Sequence, residues 1–166
     1  MTEPVQVLQL AVVGIPAPQG SKRHVGHGVM VESSKKVKPW RDAVRGQAAD
    51  AWGYRSLDEP VHVRMVFTFA RPVSHYRTGR NAALLRDSAP TAPAGMPDLS
   101  KLIRSTEDAL TDAGVWRDDA RVVAVSACKV YAGEHPDALD TPGAVIRVYV
   151  LRAAGYGDPE VGDGQG

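Results

Sequence analysis

Acidic residues at two places in the second half of the chain could together bind a metal ion. Asp98 precedes an amphipathic stretch that begins at Leu99, and Asp118 and Asp119 follow the same stretch. Carboxylate oxygens are the ligands that Mg²⁺ prefers, and a bound Mg²⁺ can activate water and stabilise the charge that develops on a phosphodiester. Taken singly, Asp98 is typical of a helix N-cap and the aspartate pair is typical of a polar turn. Their distance in the folded chain decides between a metal site and these structural roles.

The length of chain between these acids allows them to meet. A helix over residues 98–113 would be about 22 Å long, at about 1.5 Å per residue. The following segment, residues 114–119, would span about 17–20 Å if it were extended. Running back along the helix, it could return its two acids to the first helical turns, where Lys101 and Arg104 could neutralise a phosphate. The spacing therefore permits a metal site without requiring one.

Hydrophobic periodicity predicts the elements that position these residues. Alternating apolar residues predict strands, and apolar residues at helical spacing predict two helices. The segment between the second strand and the second helix, residues 71–96, is too long for an ordinary connection, so we expect it to be functional or disordered. The predicted strands are Val5–Gly14, Val61–Ala70, Arg121–Tyr131 and Ala144–Ala153, VMVES is a candidate short strand, and the predicted helices are Lys38–Trp52 and Asp98–Ala113.

This order of elements predicts the fold class and the domain organisation. We expect an α+β (mixed α/β) fold in which a mixed sheet of about four strands packs with two main helices. At 166 residues the chain is most simply one small domain, which we place at residues 1–154. Residues 155–166 have no apolar pattern and are predicted to be a flexible C-terminal tail.

Charge and composition narrow the possible partners. No apolar run approaches the roughly 20 residues that span a bilayer, and no signal peptide opens the chain, so a cytoplasmic location is expected. The net charge of +1 gives no global argument for a nucleic-acid partner, but seven basic residues face two acids between Lys22 and Arg45. This local excess fits either DNA binding or a solvated surface. The DNA-binding candidates in it are Lys22, Arg23, Lys35 and Lys36.

One segment resembles the signature of the RusA family of Holliday junction resolvases. It is PDLSKLIRSTEDALTDAGVWRDDARVVAVSACKVY, which begins at Pro97. In that family Asp-x-Asp-Asn-Leu opens a helix with a basic residue on its second turn, and Asp-Ala-Leu follows. An aromatic residue and paired aspartates then precede a strand that ends near a lysine. The loop GIPAPQGSKR also resembles the loop after the family's first strand. The matching residues are Asp98, Leu99, Leu102, Arg104, Asp108, Ala109, Leu110, Trp116, Asp118, Asp119 and Lys129.

The resemblance implies a specific activity and assembly. RusA-like proteins are small α/β domains that form homodimers and make paired cuts in four-way DNA junctions in recombination and repair. Many are encoded by phages or prophages, and the cofactor is Mg²⁺, with Mn²⁺ as an alternative. By this resemblance, Asp98, Asp119 and Arg104 are catalytic, and Arg104 replaces the family's usual lysine. Asp98, Asp118 and Asp119 are then the metal ligands, and Lys101 and Lys129 join the DNA-binding candidates.

The chain departs from the family pattern at the start of the helix. Ser100 stands where the family has its second aspartate, and a hydroxyl is a poorer Mg²⁺ ligand than a carboxylate. The site then binds metal more weakly, uses another acid such as Glu107 or Asp108, or is inactive. Of these two acids, Glu107 would lie about 180° around the helix from Asp98 and is a poor candidate, and Asp108 would lie about 80° around but more than two turns along. Two alternatives to the nuclease therefore stay open: a junction-binding protein that cuts poorly, and a structural α+β module whose acids are only caps and turns.

Overall fold

A four-stranded mixed sheet forms the centre of the fold. The computed structural model describes residues 2–20, 22–24, 30–32 and 35–153, so the predicted tail at residues 155–166 lies outside the described residues. The strands of this sheet are β1 (Thr2–Val13), β4 (Val61–Phe69), β5 (Val122–Tyr131) and β6 (Gly143–Ala153); β2 (Lys22–His24) and β3 (Met30–Glu32) form a separate antiparallel pair. The order of strands in the four-stranded sheet is β1-β6-β4-β5, with β4 and β5 parallel and the other neighbours antiparallel.

Two helices pack against each other and against this sheet. They are α1 (Val37–Ala51) and α2 (Leu99–Asp112). The indole nitrogen of the buried Trp40 on α1 donates a 3.1 Å hydrogen bond to Thr106 Oγ1 on α2, which fixes one helix against the other. The predicted α+β fold, with a four-stranded mixed sheet and two main helices, is confirmed. The core contains, among others, Trp40, Val44, Ala48, Val63, Met65, Phe67, Leu102, Leu110, Ile146 and Val148.

Residues 71–96 form an ordered projection that we call the arm. Two short 3-10 turns, Val73–His75 and Gly79–Asn81, shape it, and an antiparallel bridge joins Tyr76 to Leu85. None of its residues is buried. Of the two predicted possibilities for this segment, functional or disordered, the structure therefore excludes disorder.

The segment after α2 stays beside the last turns of the helix and does not return to its first turns. Gly114 has a φ of +78° and ends α2, as its position in the sequence predicts. Val115 and Trp116 are then buried in the core, and Leu57 exchanges hydrogen bonds of 2.9 Å with Val115 and Arg117. The return of Asp118 and Asp119 to the first turns of α2, which the chain length permits, does not occur within one chain, because the apolar residues of this segment bind it to the connection between α1 and β4.

Candidate active site

Asp98 lies at the N-cap position of α2 but does not act as a cap. Its backbone is extended (φ −66°, ψ 133°), and its carboxylate accepts no hydrogen bond from the first N–H groups of the helix. The side chain is half exposed, and Lys101 Nζ lies 3.6 Å from Asp98 Oδ2. Such an exposed ion pair contributes little to stability. Helix capping, the structural alternative for this residue, therefore does not explain the aspartate.

Lys129 holds the main chain that leads into Asp98. Its ammonium donates hydrogen bonds of 2.8 Å to the carbonyl of Gly95 and 2.9 Å to the carbonyl of Pro97. A lysine ammonium has three N–H donors, so one remains for another acceptor. The residue predicted to bind DNA therefore also fixes the backbone beside the candidate catalytic acid.

The loop after β1 passes along the first turns of α2. The N–H of Gln19 donates to the carbonyl of Lys101 at 3.0 Å, and the buried Ser105 hydroxyl donates to the carbonyl of Ala17 at 2.7 Å. Lys22 follows Gln19 by three residues, which span at most about 11 Å of chain. The loop therefore brings the predicted DNA-binding pair, Lys22 and Arg23, towards the Asp98 end of α2.

Four of the predicted DNA-binding residues lie between β1 and α1 in the chain. Lys22 and Arg23 lie on β2, where the backbone alone is described. Lys35 and Lys36 are exposed immediately before α1. Of these two pairs, Lys35 and Lys36 are therefore accessible to a partner.

Asp119 lies at the opposite end of α2 from Asp98. Its carboxylate accepts a short hydrogen bond from the hydroxyl of Thr111, and the indole nitrogen of Trp116 donates to the same hydroxyl oxygen at 2.7 Å. Asp118 has a different role, since its Oδ1 accepts a 2.9 Å hydrogen bond from the N–H of Ala120 and caps the 3-10 turn Asp119–Arg121. Thr111 was not predicted from the sequence, because nothing in a lone threonine indicates that it will bind an acid eight residues away.

Two independent distances show that Asp98 and Asp119 of one chain lie far apart. Thr111 follows Asp98 by 13 residues, which corresponds to about 20 Å of helix. The strand β5 gives a similar value, since Lys129 near Asp98 and Val122 near Asp119 are about 23 Å apart at about 3.3 Å per residue. Ligands of one Mg²⁺ lie about 2.0–2.1 Å from the ion. Asp98 and Asp119 of one chain therefore do not fit a single ion.

Glu107 and Asp108 on α2 lie close enough to Asp119 to be affected by its charge. Burial raises the pKa of Glu107, and the charges of Asp119 and Asp108 raise it further. Burial is also the main cause that raises the pKa of Asp108, and the charge of Asp119 raises it further. The charges of Arg41 and Arg104 act in the opposite direction and lower this pKa. Glu107 and Asp108, predicted as substitutes for the carboxylate missing at Ser100, thus lie beside Asp119 and not beside Asp98.

Basic residues accompany this acidic end of α2. Arg104 is exposed one turn before Asp108. Arg41 reaches across from α1 and places its guanidinium 2.9 Å from a carboxylate oxygen of Asp112. Among residues 2–20, 22–24, 30–32 and 35–153, no group of three or more His, Cys, Asp or Glu side chains could hold a metal ion. Within the described residues, the candidate acids therefore form two separate groups, one at each end of α2.

Comparison with known proteins identifies the family. The sequence pattern of the family described as Endodeoxyribonuclease RusA matches residues 13–139, more than half of the chain. This region includes both helices, the arm and every acid discussed above. A comparison with curated proteins found no match. No helix in the described part of the chain has the length and hydrophobicity needed to cross a lipid bilayer. The chain belongs to the RusA family of endodeoxyribonucleases.

Proposed function

We propose that this protein is a divalent-metal-dependent endodeoxyribonuclease that resolves four-way and related branched DNA as a homodimer. Family membership supports the Holliday junction endodeoxyribonuclease activity. The observation that supports the dimer is the separation of Asp98 and Asp119 by the length of α2. If both acids serve one reaction centre, two chains have to supply them.

The proposed dimer has two-fold symmetry and two composite sites. In each site, Asp98 of one chain lies near Asp119 of its partner, and one self-complementary interface produces both sites. Glu107 or Asp108 beside Asp119 would then compensate for the serine at position 100. These carboxylates would hold Mg²⁺, with Mn²⁺ as an alternative, and the bound ion would supply water activation and stabilise charge on the phosphodiester.

The remaining predicted residues of the chain bind and orient DNA. Arg104 is exposed on the same helix as Asp98, and Lys101 Nζ lies 3.6 Å from Asp98 Oδ2, so both would neutralise the phosphate next to the cut. The cations Lys22, Arg23, Lys35 and Lys36 would bind flanking phosphates, because lysine and arginine provide most of the affinity for a DNA backbone. The third N–H of Lys129 is free to do the same. We place this activity in recombination and repair, in the cytoplasm, in a phage or prophage setting.

One alternative function has an observation in its favour. Ser100 removes a carboxylate from the Asp98 side of the site, which favours a protein that binds junctions and cuts them poorly. The structural-module alternative is weaker, since it explains Asp98 as a cap and this residue makes no capping hydrogen bond. Cleavage of labelled four-way junction, linear duplex and single strands, with and without Mg²⁺, distinguishes the three functions.

Subunit mixing tests whether the two acids come from different chains. Asp98→Asn and Asp119→Asn homodimers should each be inactive, because every composite site has lost one acid. In a mixed dimer of the two variants, one site carries both substitutions and the other carries neither. Mixing the inactive variants should therefore restore cleavage, up to about one intact site in each mixed dimer, measured as nicking of a labelled junction.

A lack of cleavage after subunit mixing would contradict the proposed composite sites. If each site used Asp98 and Asp119 of one chain, both sites of the mixed dimer would be damaged and activity would stay absent. Sedimentation with differently tagged chains has to show that mixed dimers form. A mixture of Asp98→Asn with itself under the other tag serves as the matched control and should remain inactive.

A further inference from the structure

The arm is fixed to the sheet at its base by one arginine. The Arg71 guanidinium stacks 4.1 Å from the centroid of the Tyr131 ring and donates three hydrogen bonds of 2.8–3.1 Å to the Glu134 carboxylate. It also donates a 2.8 Å hydrogen bond to the carbonyl of Pro90, 19 residues later in the chain. Since 7% of the Arg71 side chain is exposed, these contacts tie the outgoing and returning parts of the arm together.

A second attachment links the arm to the candidate catalytic acid. Lys129 lies two residues before Tyr131 on the same face of β5, about 7 Å along the strand. It binds the carbonyls of Gly95 and Pro97, as described above. The returning part of the arm is therefore held at two points before the chain reaches Asp98, so the direction of the arm is set relative to that acid.

Polar contacts also fix the outer part of the arm. The N–H of Arg77 donates to the carbonyl of Leu84 at 2.8 Å, and the N–H of Arg86 donates to the carbonyl of His75 at 2.9 Å. The guanidinium of Arg86 adds a 2.8 Å hydrogen bond to the carbonyl of Tyr76. These bonds hold the backbone without a hydrophobic core, so the apolar side chains of the arm are not needed to keep its shape.

The end of the arm, residues 77–86, combines exposed leucines with arginines, and we call it the arm tip. Leu84 and Leu85 are neighbours with exposed fractions of 53% and 37%. Arg80 is exposed and makes no hydrogen bond or ion pair with any other described residue. Arg77 pairs with Asp87 at 3.2 Å, and that carboxylate is itself fully exposed. Two apolar side chains thus lie among cations on a backbone that is already in place.

We propose that the arm tip binds the branch point of DNA, where Leu84 and Leu85 pack against the base pairs that end there and Arg80 contacts a flanking phosphate. This inference rests on the proposed function and identifies the part of the chain that selects branched over linear DNA. Apolar wedges flanked by basic residues are used by DNA-bending proteins to contact base steps. A continuous duplex presents its bases stacked, so the same leucines gain contact there only after unstacking them.

The charge of the arm tip favours DNA over a second copy of the chain as the occupant. Arg77, Arg80 and Arg86 face a single nearby acid, Asp87. In a two-fold contact between two arm tips, each set of arginines would lie against its own copy, and like charges repel. DNA phosphates have the opposite charge, so they attract the arginines that a second arm tip would repel.

The test compares DNA shapes with the full-length chain. L84S/L85S is made in an Asp98→Asn background, which prevents cleavage during binding measurements. We expect its Kd for a four-way junction to rise about tenfold, or about 1.4 kcal/mol, while its Kd for a linear duplex of the same sequence changes less than about twofold. The control is Val5→Ser, at a valine near the start of β1 with an exposed fraction of 41%. That control should leave both Kd values unchanged, because β1 is at the sheet edge opposite to β5 and Val5 lies eight residues before the end of the strand, where the loop beside α2 begins.

Two further measurements decide what a change in affinity means. A junction with 2-aminopurine at the branch should brighten on binding the parent protein and should brighten less with L84S/L85S. Arg80→Gln should weaken junction and duplex equally and lower the salt dependence by about one phosphate contact. An equal loss for both DNA shapes in L84S/L85S, or conversion of that variant to a monomer in sedimentation, would overturn the inference. A parent protein that binds junction and duplex equally would refute the proposed function, and the inference with it.

Discussion

Replacing Lys129 with methionine should reduce cleavage far more than it reduces DNA binding. Methionine keeps most of the apolar stem of the lysine, but it cannot make the two hydrogen bonds of 2.8 and 2.9 Å that Lys129 donates to the carbonyls of Gly95 and Pro97. Hydrogen bonds from charged groups contribute about 1.5–3 kcal/mol each when they are desolvated. Because Lys129 is only half-buried and water can replace it at both carbonyls, we expect a loss of about 2 kcal/mol in the free energy of unfolding.

The effect on catalysis follows from the position of those carbonyls. Pro97 directly precedes Asp98, so releasing it allows the candidate catalytic carboxylate to move. A displacement of about 1 Å in a reacting group costs about 100-fold in rate. The expected result for Lys129→Met is therefore a single-turnover cleavage rate lower by about two orders of magnitude, with a junction Kd within about threefold of the parent value.

Three measurements complete this test: single-turnover cleavage of a labelled junction, Kd from gel shift without metal, and urea unfolding. Arg55→Met is the control, since Arg55 is exposed and pairs with Glu59 in the connection between α1 and β4. If Lys129→Met cleaves at the parent rate but binds DNA more weakly, with a lower salt dependence, the positioning argument fails. Lys129 would then be a phosphate ligand, as the resemblance alone implies.

Three other substitutions test separate parts of the structure. Ser100→Asp adds a carboxylate two residues from Asp98 and should lower the Mg²⁺ concentration for half-maximal cleavage; reduced activity would instead mean that another acid already fills that place. Burial and the charge of Asp119 raise the pKa of Glu107 in the folded protein. The folded state therefore binds the carboxyl proton of Glu107 more tightly than the unfolded chain does, and ionisation of this group at neutral pH destabilises the fold. Glu107→Gln should therefore raise the Tm at neutral pH, and the gain should shrink towards about pH 4; a gain that is constant with pH would contradict this. Arg71→Lys removes the planar guanidinium that stacks on the Tyr131 ring and binds the Glu134 carboxylate. Limited proteolysis should then cut the arm of this variant faster than the arm of the parent protein.

The secondary structure was predictable because its signal is local. Alternation over Val61–Phe69 and the apolar stripe of α2 both come from side chains that face a single core, and that constraint is visible in the periodicity of the residues. Gly114 was likewise predictable as the end of α2, since a left-handed backbone favours glycine. Helices, strands and helix ends depend on residues that are close together in the sequence, so they could be predicted from the sequence.

The geometry of the candidate site was not accessible in the same way. Chain length gives an upper limit on how far residues 114–119 can reach, but it does not give their direction. The direction is set by Val115 and Trp116, which are buried, and by hydrogen bonds to Leu57. Two large apolar residues in a six-residue connection were a usable signal that this segment is anchored in the core and is not free to follow the helix.

The arm shows a different limit of sequence reasoning. Its composition of proline, glycine, serine and arginine is compatible with disorder, and its length fits a functional segment as well as a disordered one. The deciding contacts join residues far apart in the chain, such as Arg71 to Glu134 at a separation of 63 residues. Such pairs cannot be identified from one sequence, because each member alone is an ordinary surface charge.

The length of α2 connects these observations to the proposed paired cutting. A helix of 14 residues is a rigid spacer, so the distance between Asp98 and Asp119 cannot close by a side-chain movement or by a change in the turn that carries Asp119. Under the proposed arrangement a single chain has no complete reaction centre, and a dimer has two. Cleavage would then depend on dimer formation, and both cuts in a junction would come from one assembly. A lone chain bound to DNA would be inert, which protects duplex DNA from single nicks.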